Sequence, residues 1–423
     1  MLDTLPPETL TGILQAFPDV ARHRSLEAMS LVSKRCSPVA QRELFARVFV
    51  IIRPSMDIEN TIRKAWEPMG VLRYGVRRLT VKASIEMMER LYTLRPLPFP
   101  EIYPSDIYGL LSFFSATRHL DIVSLRWQLP DPLSPSPTFL NTHVTKIRIS
   151  YVDFSRVADL DAPSHILSAL PQARSVEFTQ CRSGATWPNS KVEVSSVTRL
   201  HLSFVRRTMF TSLGVLPKFT HLQSLVVDGA GDFDLPLIGQ QIASSAGTLQ
   251  DITFRIVQWR SNNTTFDNDG ASFEKCSRLQ TFTIFFPNFS FFGLIAASDI
   301  NLRLITLMKT LPACLRTLRV IVDGERRPQA AVESSMRLAD WRACFAALNT
   351  PNLEKVTVIL EGKPMGVKSY RWTAYMERAI NRALRNDVNL VLVVDNHNSI
   401  FESRVVDRME RVRWPTTSIL LPK

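Results

Sequence analysis

The sequence predicts an α/β chain, with a short all-helical N-terminal module followed by an irregular solenoid of alternating strands and helices. Three observations predict it. The first fifty residues carry apolar side chains at helical spacing. Past residue 70, a phrase with large apolar residues two apart recurs along the chain. Between these phrases lie apolar-periodic stretches that stop near a proline.

The helical module comes first. Asp3 or Thr4 can cap a first helix, with Pro6 or Pro7 in its first turn, where no amide bond is lost. Leu10, Ile13, Leu14 and Phe17 fall on one stripe, and Pro18 with Asp19 ends it. A second helix starts near Ser25 and carries Leu26, Met29, Leu31 and Val32. Pro38 opens a third short segment, and Leu44, Phe45 and Val48 lead toward the body. A unit of about 45 residues has too little core to stand alone and leans on a partner. Residues 1–50 therefore read as a docking module, residues 51–75 as a connecting helical segment and residues 76–423 as the solenoid. A helical cap that turns its stripe inward onto the array is the alternative for the first segment.

The strand phrases follow: VRRLTVKA, RHLDIVSL, VTKIRISYV, ARSVEFTQC, VTRLHLSFV, LQSLVVDGA, LQDITFRIV, LQTFTIFFP, LRTLRVIVD, LEKVTVILE and NLVLVVDN. A period of two is that of a strand, whose alternate side chains face opposite sides. Their first inward residues are Leu79, Leu120, Ile147, Val176, Leu200, Leu225, Ile252, Phe282, Leu318, Val356 and Leu392, between 24 and 41 residues apart. The intervening apolar stretches stop near Pro171, Pro217, Pro312 and Pro351, where the missing amide proton ends a helix. One strand plus one helix per repeat is the pattern of an array that buries its core by stacking rungs. A doubly wound α/β sheet also alternates strands and helices, but no glycine-rich phosphate turn accompanies these strands.

The Leu-x-x-Leu-x-Leu half of each phrase resembles the leucine-rich repeat, without its regular spacing and mostly without the Asn or Cys that follows. The N-terminus resembles the F-box. Leu5-Pro6-Pro7-Glu8 is followed by Leu10 and Ile13, then Leu31-Val32-Ser33-Lys34-Arg35, then Pro38 and Leu44-Phe45. The resemblance covers about residues 3–50, and the link FPDVARHRS is more polar than the family's usual link. It implies the substrate receptor of a Skp–cullin–F-box ubiquitin ligase. Leu5, Pro6, Glu8, Leu10, Ile13, Leu14, Leu26, Leu31, Val32, Leu44 and Phe45 would contact the Skp-type adaptor, and through it a cullin, while the body holds a protein target.

Composition limits the other classes. Lys plus Arg minus Asp plus Glu is 51 − 39 = +12, with no block of like charges. A basic scaffold for nucleic acid or an acidic protein is thus the alternative function, with nucleic acid the less favoured partner. Cys36, Cys181, Cys276, Cys314 and Cys344 form no C-x-x-C, which points to a reducing compartment, cytoplasm or nucleus. No apolar run is long enough for a membrane span. The seven histidines form no H-x-x-x-H or H-E-x-x-H pair, and no G-x-S-x-G occurs. The expectation is a non-catalytic chain with no cofactor and no metal. Target specificity is expected on the outward side of the strands, from Arg148, Glu177, His201, Arg255, Phe285 and Arg319. The later outward residues Phe285, Ile321, Ile359 and Val393 are apolar, and either form a groove or lie covered. Residues 370–387 read as an amphipathic helix with a basic side.

Overall fold

The structure, a computed structural model, describes residue 9 and residues 26–31, 36–53, 56–84, 99–128, 143–154, 166–167, 170–181, 193–203, 218–231, 235–258, 273–286, 305–323, 341–361, 384 and 387–395. The fold is mixed α/β and is dominated by parallel strands. The chain divides into two compact units, Met1–Thr186 with Val412–Lys423, and Trp187–Arg411.

In the first unit, residues 26–31 are helical, and α1 (Cys36–Leu44) leads into β1 (Arg47–Ile52). Helix α2 (Ile58–Trp66) starts where the Asp57 carboxylate accepts the Asn60 N–H at 3.1 Å. A 3₁₀ stretch, Glu67–Gly75, follows and bends at Gly70, whose φ of 45° suits a residue without a Cβ. Then come β2 (Arg78–Ala83), the short β3 (Glu101–Ile102), α3 (Pro104–Phe113), β4 (His119–Val123), the short β5 (Arg126–Trp127), β6 (Lys146–Ser150) and β7 (Ser175–Thr179). Pro104 occupies the first turn of α3, and the Asp106 carboxylate takes the Tyr103 N–H at 2.8 Å.

The second unit contains β8 (Glu193–Val194), β9 (Arg199–Ser203), β10 (Lys218–Phe219), β11 (Ser224–Gly231), α4 (Leu235–Ser244), β12 (Asp251–Gln258), β13 (Thr281–Phe286) and β14 (Thr317–Asp323). It continues with α5 (Trp341–Ala346), β15 (Lys355–Glu361) and β16 (Asn389–Asp395). Side chains of α4 and of Ser245 just beyond it clasp β10. The Gln241 carbonyl accepts the Phe219 N–H at 3.2 Å, and the Ser245 hydroxyl donates to the Phe219 carbonyl.

Strand order is strictly sequential in each unit: β1-β2-β4-β6-β7 in the first and β9-β11-β12-β13-β14-β15-β16 in the second, with every ladder pair parallel. Neither unit contains the reversal of strand order that a doubly wound sheet requires. The expected inward residues fall into register. Leu79, Leu120, Ile147 and Val176 form one row. Leu200, Leu225, Ile252, Phe282, Leu318 and Val356 form another. In the last strand Leu390 takes the position expected of Leu392. A shift of two residues keeps the same face, so the pattern of alternation alone could not separate the two.

Most ladder strands bury a third apolar position; before β4 that position holds buried Thr117, and before β16 the exposed Asp387. The residue three before the inward one also sits in the core: Val76, Val144, Ala173, Val197, Leu222, Leu249, Leu279, Leu315 and Leu353. Burying a Val, Leu or Phe contributes about 1.5–3 kcal/mol, so these rows hold neighbouring strands together. Aromatic rings extend the rows. Phe254, Phe273 and Phe282 meet edge-on, with centroids 6.2 and 5.1 Å apart, and Phe45, Trp66 and Phe114 do so at 5.7 and 5.1 Å.

A backbone device repeats at the start of most ladder strands. The carbonyl of the residue leading into one strand accepts two consecutive N–H groups from the next. Ala46 takes Arg77 and Arg78, Arg77 takes Arg118 and His119, Arg118 takes Thr145 and Lys146, and Thr145 takes Arg174 and Ser175, at 2.8–3.1 Å. Thr198, Gln223, Gln250, Gln280 and Arg316 do the same in the second unit. Because this ladder uses only main-chain atoms, the lead-in side chains are free to vary. At the far end of β4, β6 and β7 the chain leaves through left-handed residues, Ser124 (φ 57°), Tyr151 (φ 57°) and Gln180 (φ 53°). The next positions, where a leucine-rich repeat places Asn or Cys, hold Leu125, Val152 and Cys181, all buried. Cys181 Sγ donates to the Ile149 carbonyl at 3.4 Å, and burial pushes its thiol up to about 12.

Two sequence expectations need correction. Arg47–Ile52 is a strand paired with β2, so the boundary drawn at residue 50 cuts through it. Its RVFVII alternation was masked by the adjoining Leu44-Phe45, which fits a helical reading equally well. Phe285, expected among the target-facing residues, is only 5% exposed, as is Ile321, so of the two readings of the outward apolar row, groove or covered, these two residues take the covered one. With half-buried Val226 and Ile359 they form an apolar cluster of their own.

Candidate functional site

Two regions carry the residues singled out from the sequence. The first is the N-terminal module. Leu26 is 3% exposed and packs on Ala40, with half-buried Met29, Val39 and Leu44 around it. This small cluster joins residues 26–31 to α1. Leu31, on the same short helix, is 87% exposed. Phe45 turns inward and meets the Trp66 ring edge-on. Leu5, Pro6, Glu8, Leu10, Ile13, Leu14 and Val32 lie outside the described residues.

The second region is the outward face of the strands. In the first unit, Thr80, Asp121, Arg148 and Glu177 stand side by side on β2, β4, β6 and β7. Asp121, 5% exposed, receives two bonds from Arg78, 2.7 Å from Nε and 2.6 Å from a terminal nitrogen, and one from the Thr80 hydroxyl at 3.2 Å. Arg148 reaches Glu177 at 3.6 Å and donates to the Ser150 hydroxyl at 3.2 Å. The Thr179 hydroxyl donates to Glu177 at 3.2 Å. Glu177 is only 3% exposed, so this pair is committed to neighbouring strands rather than held out to solvent. Beside them, the Lys82 ammonium lies 5.2 Å from the Phe49 ring centroid. Burial lowers its pKa from 10.5 to about 8.

In the second unit, His201, Val226, Thr253, Thr283, Arg319 and Thr357 are in register from β9 to β15. His201 is half-buried. Arg319 is exposed between buried Thr283 and Thr357. Arg255 lies 3.6 Å from Asp228 and 5.7 Å from the centroid of Phe285, an ion pair backed by an aromatic ring. Of the six expected target-facing residues, Arg319 is exposed, Arg148, His201 and Arg255 are half-buried, and Glu177 and Phe285 are buried. Val393 and residues 370–383 have no described side chains.

Sequence reasoning missed the first residue of each strand. Arg47, Arg78, His119 and Lys146 are in direct register across β1, β2, β4 and β6. Their common signal was a basic residue one position before each inward residue, which a search centred on the apolar rows passed over. A second overlooked feature is a recess of about 450 Å³ bordered by Cys314, Arg316, Asn352, Glu354 and Asp387. There Cys314 Sγ donates to the Cys276 and Leu279 carbonyls at 3.2 and 3.3 Å.

Among the described residues, no helix is long and apolar enough to cross a membrane, and no three His, Cys, Asp or Glu residues group as metal ligands. Neither the models of known protein families nor the curated proteins contain a match to this chain.

Proposed function

We propose that the chain is a substrate-receptor subunit of a Skp–cullin–F-box ubiquitin ligase. Its N-terminal module would bind a Skp-type adaptor, and its strand-rich body, an irregular leucine-rich-repeat-like solenoid, would hold a protein target. The observation that carries this reading is Leu31. It belongs to the ordered Leu5-to-Phe45 pattern and stands 87% exposed on a helix that is itself anchored through Leu26. A large apolar side chain held in water on a fixed support is suited to being covered by another molecule.

The strand order supports the second half of the reading. Every parallel step within a unit moves in the same direction. Crossovers between parallel strands are right-handed, so steps in one direction place their connections on one face and leave the other for a partner. That arrangement suits a solenoid whose open face is a binding surface.

The test is a pull-down that compares the intact chain with a Leu5→Ala/Pro6→Ala/Leu31→Ala variant. The reading expects the adaptor to be lost from the variant while the fold persists. Equal recovery of adaptor from both would remove the docking assignment.

A further inference from the structure

The strongest unexplained feature of the described surface is the basic row at the start of the first unit's strands. Arg47, His119 and Lys146 are exposed and Arg78 is half-buried, all four on consecutive strands. Neighbouring strands are about 4.8 Å apart, so the row runs for about 14 Å. A second tier lies one residue earlier, where Arg77, Arg118 and Arg174 are in the lead-in positions joined by the backbone ladder. Arg118 and Arg174 are exposed.

Two of these cations are answered locally. Arg77 pairs with Glu43 at 3.3 Å and Arg78 with Asp121 at 2.6 Å. Among the described residues, no acid pairs with Arg47, Arg118 or Lys146. His119 registers the resulting field. Its pKa is lowered, first by burial and then by Lys146 and Arg78, with Arg118 adding to them and Asp121 opposing. The equivalent row of the second unit differs. It reads Arg199, Ser224, Asp251, Thr281, Thr317, Lys355 and Asn389, with an acid near its middle. The repeat fold therefore does not require bases here, and their concentration belongs to the first unit alone.

We propose that this strip, centred on Arg47, Arg118 and Lys146, is a docking surface for an extended acidic segment of a partner protein. Its length fits four or five residues of extended polypeptide at about 3.4 Å each. The His119 imidazole is the one aromatic ring in the row, where a single strand would stack successive bases on several, which favours a carboxylate-bearing peptide over single-stranded nucleic acid. The proposal names the chemistry of a target and goes beyond the receptor reading. It does not depend on the N-terminal module, because binding is measured with no adaptor present.

The experiment is a fluorescence titration of the full-length protein, at low and at physiological salt, with a twelve-residue peptide of alternating Glu and Asp. A Gln/Asn peptide of equal length and a single-stranded oligonucleotide of equal charge serve as comparisons. The acidic peptide is expected to bind, more weakly as salt rises. An Arg47→Gln/Arg118→Gln/Lys146→Gln variant should bind about tenfold more weakly, each exposed contact contributing a modest share. An Arg47→Lys/Arg118→Lys/Lys146→Arg variant should retain most of the affinity, which separates lost charge from lost fold. The proposal is overturned if the acidic peptide does not bind at low salt, or if the Gln triple variant binds as the wild type does. It is also overturned if a Lys64→Gln/Lys275→Gln/Arg278→Gln control loses as much, or if the oligonucleotide binds more tightly and displaces the peptide.

Discussion

Two leucines on one short helix separate folding from docking. Leu26 and Leu31 are five residues apart, about 140° around a helix, so they point to nearly opposite sides. Leu26 is 3% exposed against Ala40, whereas Leu31 is 87% exposed. Leu26→Ala leaves a cavity in a small cluster whose other members are only half-buried, which places its cost at the low end of the usual range, about 2–3 kcal/mol. Amide hydrogen exchange across Cys36–Leu44 should then quicken roughly 30- to 150-fold. Leu31→Ala removes nothing from the core and should change that exchange by less than about 0.5 kcal/mol. If an adaptor covers Leu31, the same substitution should cost about 2 kcal/mol of binding, near 30-fold in Kd by isothermal calorimetry. Unchanged affinity of Leu31→Ala for the adaptor, or a loss of exchange protection equal to that of Leu26→Ala, would refute the argument.

Further measurements address the body. Asp121→Ala removes an ion pair and a Thr80 bond, but Arg78 is 38% exposed and can rehydrate. The loss should be about 1.5–2.5 kcal/mol in urea denaturation, below that of a fully buried pair, while Glu59→Ala, which breaks the exposed Arg63 pair, should cost under about 0.5 kcal/mol. Gln180→Gly should raise stability by about 0.5–1 kcal/mol because glycine adopts the φ of 53° without strain, and Gln180→Val should lower it; a thermal melt ranks the three. Lys82 should titrate near 8 by NMR, against 10.5 in the unfolded chain. Between those values the unfolded state holds more protons, so stability should rise with pH across that window, and Lys82→Met should abolish the rise.

The outward surface was less legible than the core, for a physical reason. Alternation places Arg148, Glu177 and Phe285 on the outward side of their strands, and they are there. Alternation says nothing about what a neighbouring strand brings within reach. Glu177 is withdrawn from solvent by Arg148, and Phe285 by Ile321 and the Val226 and Ile359 beside it. Each of these contacts joins residues at least 29 positions apart, and burial is a property of the set. In the N-terminal module, Leu26 and Leu31 are the same residue type on one short helix, and packing against Ala40 makes Leu26 the anchor while Leu31, about 140° around, stays exposed.

The sequence by itself determined the eleven period-two phrases and, for all but the last of them, the first inward residue. A strand's side-chain direction follows from local backbone geometry and needs no partner. Tertiary structure decided the parallel, strictly sequential pairing, the inclusion of Arg47–Ile52 in the ladder and the alignment of Arg47, Arg78, His119 and Lys146 into one row. Those features depend on register between strands 25 or more residues apart, which is set by how the strands pair and not by any one of them.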